Sequence, residues 1–217
     1  SQLEKVRWLC PVPGYDRHFA ITQQLGFEMI PIPMGEDGPD MDQIEQLAGA
    51  DPAVKGVWCV PKYSNPEGQT YSDAVVRRFA AMKTAAPDFR VFWDNAYIVH
   101  HLSPRHDRLL NVFEAARACG TEDRFLEYCS TSKITYPGAG VAAMAASEAN
   151  IAWTKKLMGV QAIGPDKVNQ LRHVRYFKDL AGSEEAETDE ELSGSEEETK
   201  ETDGVQEDRK KEETEED

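Results

Sequence analysis

The chain has 217 residues, with 24 lysine and arginine side chains against 39 aspartate and glutamate side chains and a formal net charge of -15. No stretch approaches the roughly 20 consecutive apolar residues that cross a bilayer, and no basic excess favours binding to nucleic-acid phosphates. Composition therefore argues against a membrane-spanning protein and against a nucleic-acid partner.

Short runs of β-branched and aromatic residues alternate with helical patterns along most of the sequence. This alternation predicts an α/β fold of three layers, in which a mostly parallel sheet is flanked by helices. The predicted elements, in chain order, are strand Val6–Leu9, helix Tyr15–Leu25, strand Phe27–Ile32, helix Met41–Ala48, strand Gly56–Val60, helix Ser72–Thr84, strand Arg90–Trp93, helix Leu109–Ala118, strand Phe125–Cys129, strand Val141–Ala146, helix Ser147–Met158 and a last helix from about Gly164 to about Asp179.

The acidity is confined to the end of the sequence. Positions 181–217 carry 18 acidic and 4 basic side chains, whereas positions 1–180 have a net charge of -1. The few aliphatic residues after position 180 bury too little apolar surface to offset the entropy lost on ordering. We therefore predict one folded unit over 1–180, long enough for a single core, and a disordered acidic tail over 181–217.

The cysteines and histidines predict neither a disulfide nor a metal site. The cysteines have no C-x-x-C spacing, lie in apolar runs and are Cys10, Cys59, Cys119 and Cys129. Together with the five histidines they match no metal-ligand pattern. We expect buried, reduced thiols in a cytoplasmic protein, and the sequence start lacks the layout of a signal peptide.

Polar side chains follow three of the predicted strands at the point where each strand ends. Asn65 lies in the loop after the strand that ends at Val60, and Asp94 and Tyr97 follow the strand that ends at Trp93. The strand that ends at Cys129 continues into Ser130, Ser132 and Lys133. Because carboxyl ends of parallel strands share one edge of the sheet, these groups are predicted to form one site.

An amine, a carboxylate, a phenol, an amide and two hydroxyls suit an enzyme that uses pyridoxal 5'-phosphate (PLP). Such an enzyme needs a lysine for the cofactor aldehyde, a carboxylate for the pyridine nitrogen and polar donors for the ring oxygen and the phosphate. Each motif alone also has a structural explanation, since Asn-Pro commonly starts turns and Tyr15 is compatible with a core position. The specific feature is the ordered set, with each motif at the end of a separate strand.

With these motifs, positions 5–179 resemble the large domain of a fold-type I PLP-dependent aminotransferase. The run from Cys10 to Phe19 and the run from Ser130 to Val141 are similar to the atypical aspartate aminotransferase subgroup. The resemblance implies a PLP-transferase large domain that is incomplete in this chain. It also implies transamination between an aspartate- or glutamate-like amino acid and a 2-oxo acid.

The resemblance implies catalytic roles for three residues. Lys133 is the Schiff-base lysine and moves a proton at the substrate Cα, and Asp94 pairs with the pyridine nitrogen. Tyr97, together with Asn65, hydrogen-bonds the ring oxygen of the cofactor.

The resemblance also implies residues that bind the cofactor without reacting. Ser130 and Ser132 hold the phosphate, and Tyr15 stacks on the ring. Many aminotransferases have an arginine eight residues after the lysine, where this sequence has Val141. Helix N-terminal N–H groups are then expected to supply part of the phosphate site.

The family further implies an N-terminal arm, a small domain and a homodimer with a shared active site. We therefore expect a fragment or a truncated relative that forms a homodimer when flanking regions are present. The alternative function is a non-catalytic aminotransferase-like fold that binds a partner through the acidic tail. A solvated tail without a partner is the simpler explanation of the charge.

Overall fold

The structure is a computed structural model that describes residues 5–178. The predicted tail over 181–217 lies outside the described residues, and the boundary at position 180 stays a prediction. The chain divides after Gly164 into two units, which are described separately.

Over the described residues 5–164, the first unit contains seven strands and five α-helices. Their bounds are β1 Arg7–Val12, α1 Asp16–Gln24, β2 Glu28–Gly35, β3 Gly38–Pro39, α2 Met41–Ala50, β4 Val54–Cys59, α3 Asp73–Ala81, β5 Arg90–Asp94, α4 Val112–Cys119, β6 Phe125–Ser130, β7 Ala142–Ala146 and α5 Glu148–Gln161.

All seven strands belong to one sheet, in the order β3-β2-β1-β4-β5-β6-β7. The five central strands run parallel, and β3 and β7 pair antiparallel at the two edges. The predicted mostly parallel α/β fold is therefore confirmed. After β1 the chain builds β2 on one side and β4 on the other, so the boundary between β1 and β4 is a topological switch point.

Polar caps explain where the helices begin. The side chains that accept a backbone N–H at the start of α2, α3, α4 and α5 are Asp40, Ser72, Asn111 and Ser147. Each cap satisfies a donor that has no partner within the helix. α4 ends at Gly120, whose φ of 68° suits glycine.

The two faces of the sheet carry different cores. Aliphatic residues of α2, α3 and α4, including Ile44 and Val76, pack with Val57 and Val91 of the sheet on one face. The other face carries a row of aromatic side chains, one from each of four strands. These are Trp8 of β1, Trp58 of β4, Phe92 of β5 and Tyr128 of β6, with neighbouring ring centroids 4.9–5.7 Å apart.

Some details differ from the sequence-based predictions. β1 continues to Val12, beyond the predicted end at Leu9. The prediction stopped too early because proline residues after Leu9 are more typical of loops than of strands. The edge strand β3 was not predicted, since two residues carry no periodicity. Cys119 and Cys129 are exposed, so the prediction of buried thiols is wrong for these two and correct for the other two.

The described part of the second unit is a helix over 167–178, here α6. The Asp166 carboxylate accepts the backbone N–H groups of Val168 and Asn169 at 3.0 and 3.1 Å, so it caps a helix that begins near the predicted position. Among the described residues, no helix has the length and apolar character needed to span a membrane.

Candidate active site

The predicted site lies where four neighbouring parallel strands end. The register pairs Leu9 of β1 with Val57 of β4 and Asp94 of β5 with Tyr128 of β6. The carboxyl ends of β1, β4, β5 and β6 therefore lie along one edge, next to the β1–β4 switch point. Ligands of open α/β sheets collect at such edges.

Tyr97 contacts both Lys133 and Asn65, two residues that the sequence expects in the same site. The Lys133 amine donates a hydrogen bond to the Tyr97 hydroxyl at 2.5 Å and lies 3.9 Å from the centre of its ring. The Asn65 amide donates to the same hydroxyl at 3.4 Å. One phenol thus orients the amine from the loop after β6 and contacts the amide from the loop after β4.

Tyr15 also lies near the Lys133 amine. It is the N-cap residue of α1, and the Lys133 nitrogen is 5.8 Å from its ring centre. Tyr15 also lines a shallow cleft, together with Asn65, His18 and Trp58. Its ring therefore lies at this cleft as well as near the lysine.

Asp94 is the last residue of β5 and meets a residue that the sequence reasoning missed. The His18 Nε2 atom is 3.0 Å from its Oδ2 atom. The His18 side chain is 9% exposed, whereas that of Asp94 is 27% exposed. Asp94 therefore has one oxygen bonded within the protein and an open side available to a ligand.

Contacts connect most of the predicted residues into one continuous set. The Tyr15 ring meets the His18 imidazole edge-on, with centroids 5.2 Å apart. The set therefore runs from Asp94 through His18 and Tyr15 to Lys133 and on to Tyr97. It spans the ends of β1, β5 and β6.

Ser130 and Ser132 form a separate pair beside Lys133. Their hydroxyls are 2.6 Å apart, and the backbone N–H of Ser132 donates to the Ser130 hydroxyl at 3.3 Å. A Cβ on Gly140 would lie 2.9 Å from the Ser132 backbone nitrogen, so glycine permits the close approach of this loop. The pair is connected to the residues around Asp94 and Tyr97 by the backbone, because Lys133 directly follows Ser132 in the sequence.

Val141, the position where the resemblance leads to the expectation of an arginine, is held by contacts of its backbone. The Val141 N–H donates to the Thr131 hydroxyl at 2.9 Å, and the Val141 carbonyl accepts the Thr131 N–H at 2.9 Å. These bonds close the loop that carries Ser132 and Lys133. Val141 supplies no positive charge, so its contribution is to the shape of the loop.

Trp58 and Thr22 hold the imidazole of His18 and were also missed. The indole of Trp58 stacks on the imidazole with centroids 4.5 Å apart and an interplanar angle of 10°. Its N–H donates to the Thr22 hydroxyl at 2.8 Å, which donates to the His18 carbonyl at 2.7 Å. One sequence signal existed, since His18 and Thr22 are one helical turn apart.

Two ionisable groups close to this set are neutral at physiological pH. Burial raises the pKa of the Cys10 thiol to about 11, and burial raises the pKa of the Tyr128 phenol above its usual value. Neither supplies a nucleophile or a charge to the site. Within residues 5–178 no group of three or more histidine, cysteine or acidic side chains could hold a metal ion.

Comparison with known proteins identifies the family. A profile of the family described as aspartate amino-transferase matches residues 1–191. The aspartate aminotransferase of Corynebacterium glutamicum is 53% identical over 182 residues, or 84% of this chain and 42% of that protein. A crystal structure of an aspartate transaminase from the same species superposes with a TM-score of 0.79 at 52% identity, covering 82% of this chain and 42% of the solved chain.

A more distant structure shares the fold. The α-aminoadipate aminotransferase LysN from Thermus thermophilus, complexed with N-(5'-phosphopyridoxyl)-L-leucine, has a TM-score of 0.68 at 23% identity, over 83% of this chain and 45% of that chain. The chain spans 41–42% of the length of the curated relatives that it matches. Because the matching profile covers most of its length, the chain belongs to the aspartate aminotransferase family.

Proposed function

We propose that this chain binds PLP at the strand-end site and carries the reactive lysine of an aminotransferase. The observation that supports this most strongly is the Lys133 amine, held at 2.5 Å by the Tyr97 hydroxyl at the same sheet edge as Asp94. The proposed substrates are an aspartate- or glutamate-like amino acid and a 2-oxo acid. They follow from the family and from the names of its members.

The side chains present fit the chemical groups of the cofactor. Lys133 offers an amine for the aldehyde, and Asp94 offers a partly open carboxylate for the pyridine nitrogen. Tyr97 and Asn65 offer hydrogen-bond partners for the ring oxygen, and Tyr15 offers an aromatic face. When bound, the cofactor withdraws electrons from the substrate Cα and so acidifies its proton.

Within this scheme the Lys133 amine transfers the proton. Its Nζ atom accepts the proton from the substrate Cα and returns it at the next step of the transfer. The Tyr97 hydroxyl orients that nitrogen, and the Tyr97 ring lies 3.9 Å from it. Because neighbouring groups already hold the amine in place, the proton transfer becomes an effectively unimolecular step and its entropic cost falls.

Ser130 and Ser132 are the proposed phosphate ligands. Their hydroxyls already contact each other at 2.6 Å, so both can turn toward one anion. Hydrogen bonds from neutral donors to a charged acceptor are stronger than those between neutral groups. In place of an arginine at position 141, the two hydroxyls and the backbone of the loop that Val141 closes would supply part of the phosphate binding.

The experiment adds PLP to the 217-residue chain and records absorption above 400 nm. Because free lysines also react with PLP, borohydride reduction and peptide mapping identify the labelled residue. We expect label on Lys133 and loss of the band in Lys133→Ala. Lys156→Ala, which removes an exposed lysine of α5, is the control and should keep the band.

The proposal is refuted if Lys133→Ala keeps the band or if label spreads over several lysines without preference. Amino transfer is measured separately, from aspartate to 2-oxoglutarate. A chain that labels Lys133 but transfers no amino group supports cofactor binding and refutes independent catalysis by this segment. Homodimerisation, a cytoplasmic location and the tail over 181–217 stay predictions.

A further inference from the structure

We propose that a cleft beside the ends of β5 and β6 is a second ligand site, which binds an apolar α-amino acid as its zwitterion. This β5–β6 cleft has a volume of about 500 Å³ and is lined mainly by Lys62, Trp93, Asn95, Glu127 and the segment 106–112. Pockets for small ligands commonly measure about 300–1,000 Å³. The inference goes beyond the proposed function, because none of these residues is among those assigned to PLP.

The β5–β6 cleft lies on the opposite face of the sheet from the contact between Asp94 and His18. Side chains alternate between the two faces along a strand. Trp93 belongs to the aliphatic core, and Asp94 points to the other face, where it meets His18. The backbone N–H of Asn95 donates to the Tyr128 carbonyl at 2.8 Å, so the pairing of β5 with β6 continues to Asn95. Its side chain therefore returns to the face of Trp93.

Asn95 presents a buried hydrogen-bond acceptor to this cleft. The residue is 2% exposed, and its side-chain amide donates to Oε1 of Glu127 at 2.7 Å. Because an ionised carboxylate only accepts hydrogen bonds, this contact fixes which end of the amide is the oxygen. Within residues 5–178 that oxygen, Oδ1, is buried and has no partner. A buried acceptor without a donor is costly, and a donor on a ligand would remove the cost.

Lys62 presents a buried positive charge to the same cleft. The residue is 6% exposed, and its ammonium donates to the Ile98 carbonyl at 2.9 Å and lies 5.2 Å from the centre of the Tyr63 ring. Among the described residues, no carboxylate forms an ion pair with it. An ammonium has three donors, and buried charges in proteins are ordinarily paired. An anionic group of a ligand would supply the counter-charge.

The charges around the cleft favour a ligand that carries both signs. Two cations, Lys62 and Arg108, are balanced by two carboxylates, Asp107 and Glu127. A simple anion would suit Lys62 but would leave the Asn95 oxygen and the adjacent Glu127 carboxylate without a donor. The two ends of an α-amino acid satisfy both groups, since its carboxylate pairs with Lys62 and its ammonium donates to Asn95 and Glu127.

The remaining lining of the cleft selects the side chain of the ligand. It is apolar and includes Trp93, Leu109, Leu110 and Val112. An apolar ligand side chain placed against these residues removes surface from water on both partners. The second carboxylate of aspartate or glutamate would instead lose its hydration there. The favoured ligand is therefore an aliphatic amino acid, unlike the substrates proposed for the strand-end site.

The experiment titrates L-leucine into the 217-residue chain without PLP and follows the indole N–H signals of its four tryptophans by nuclear magnetic resonance. Trp93 lines the β5–β6 cleft, whereas Trp58 lines the shallow cleft beside Tyr15. We expect a saturable shift that is largest for Trp93. Leucinamide, which lacks the carboxylate, and 4-methylpentanoate, which lacks the ammonium, should each bind about tenfold more weakly, the usual effect of losing a hydrogen bond to a charged group.

Two substitutions test the two partners in the protein. Lys62→Met keeps a long side chain and removes the charge, and Asn95→Leu keeps a similar volume and removes the amide. Each should weaken the binding of L-leucine by about tenfold. Lys156→Met, which removes an exposed lysine of α5 outside the cleft, is the control and should leave the affinity unchanged.

Several outcomes overturn the inference. One is the absence of a saturable Trp93 shift, and another is a shift that is largest for Trp58, since the ligand would then lie at the strand-end site. Equal affinity for L-leucine and leucinamide would refute the role of Lys62, and equal affinity for L-leucine and 4-methylpentanoate would refute the role of Asn95. These comparisons use the unsubstituted chain, so they decide the question even if a variant does not fold. Because no PLP is present, the result does not depend on whether the chain labels Lys133.

Discussion

Gly56 of β4 is the position where one added methyl group should be most damaging. A Cβ at this position would lie 2.4 Å from Cη2 of Trp8 and 2.6 Å from the backbone oxygen of Arg90. Carbon atoms in contact prefer about 3.5–4.0 Å, so Gly56→Ala requires a shift of more than about 1 Å. The substitution therefore tests whether the packing of β1 against β4 is as close as the structure has it.

Neither neighbour can give way easily. Trp8 is 7% exposed and packs against Phe27, Trp58 and Phe92. The other neighbour is the backbone of β5, which pairs with β4. Overpacking of a core costs about 1–3 kcal/mol, and two rigid neighbours favour the upper end, about 3 kcal/mol. For a domain of this size that corresponds to a fall of about 6–12 °C in the midpoint of thermal unfolding.

The assay is thermal unfolding followed by circular dichroism, with Gly159→Ala as the matched control. Gly159 lies inside α5, and a Cβ there would have no neighbour within 4 Å. Alanine is favoured over glycine in a helix by about 1 kcal/mol, so the control should unfold at the same temperature or higher. If Gly56→Ala unfolds at the temperature of the unsubstituted chain, the close packing of Trp8 on β4 is wrong.

Two further predictions concern stability. Thr22→Val keeps the shape of the side chain but leaves the Trp58 indole N–H without its acceptor at 2.8 Å, so the free energy of unfolding should fall by about 1–3 kcal/mol in urea titrations. An unchanged urea midpoint would contradict that contact. The Asp51 carboxylate accepts the Ala53 N–H and pairs with Arg7. Both interactions hold the pKa of Asp51 below the usual 3.8. Its stabilisation is present above that value and is lost as the pH falls below it, so Asp51→Asn should be less stable at pH 7 and should match the unsubstituted chain near pH 2. A difference that stays constant with pH would refute the assignment.

The sheet and its functional edge were predictable from the sequence because their signals are local. Runs of β-branched and aromatic residues mark the strands, and the rule for carboxyl ends needs only their direction. Asp94 and Ser130 are the last residues of β5 and β6, so their distance from each other depends on strand pairing alone. The contact between Lys133 and Tyr97 follows from the same rule, since both lie just beyond adjacent strand ends.

The residues that surround Asp94 were not predictable in this way. His18 meets Asp94 only because α1 turns that side of the helix toward β5, and no local pattern reports the rotation of a helix about its axis. The partner of His18 on β4, Trp58, looks like an ordinary strand aromatic in the sequence. The exposure of apolar residues in α5, such as Trp153 and Val160, was equally unpredictable, because periodicity predicts a helix but not which of its residues are covered.

The aromatic face of the sheet connects the packing of Gly56 to the candidate site. Gly56 and Trp58 are two residues apart on one strand and so share a face, where the Trp8 ring occupies the space over Gly56 and lies 5.6 Å from the Trp58 ring. Trp58 stacks on His18 at 4.5 Å, and His18 contacts Asp94. A side chain at position 56 would displace Trp8, and because the Trp8 ring packs against Trp58, the displacement is expected to disturb the stacking of Trp58 on His18. Gly56→Ala should therefore weaken PLP binding even at temperatures where the chain stays folded, whereas Gly159→Ala should not. Equal PLP affinity in the two folded variants would show that the aromatic row carries stability alone and that the position of His18 is set by α1.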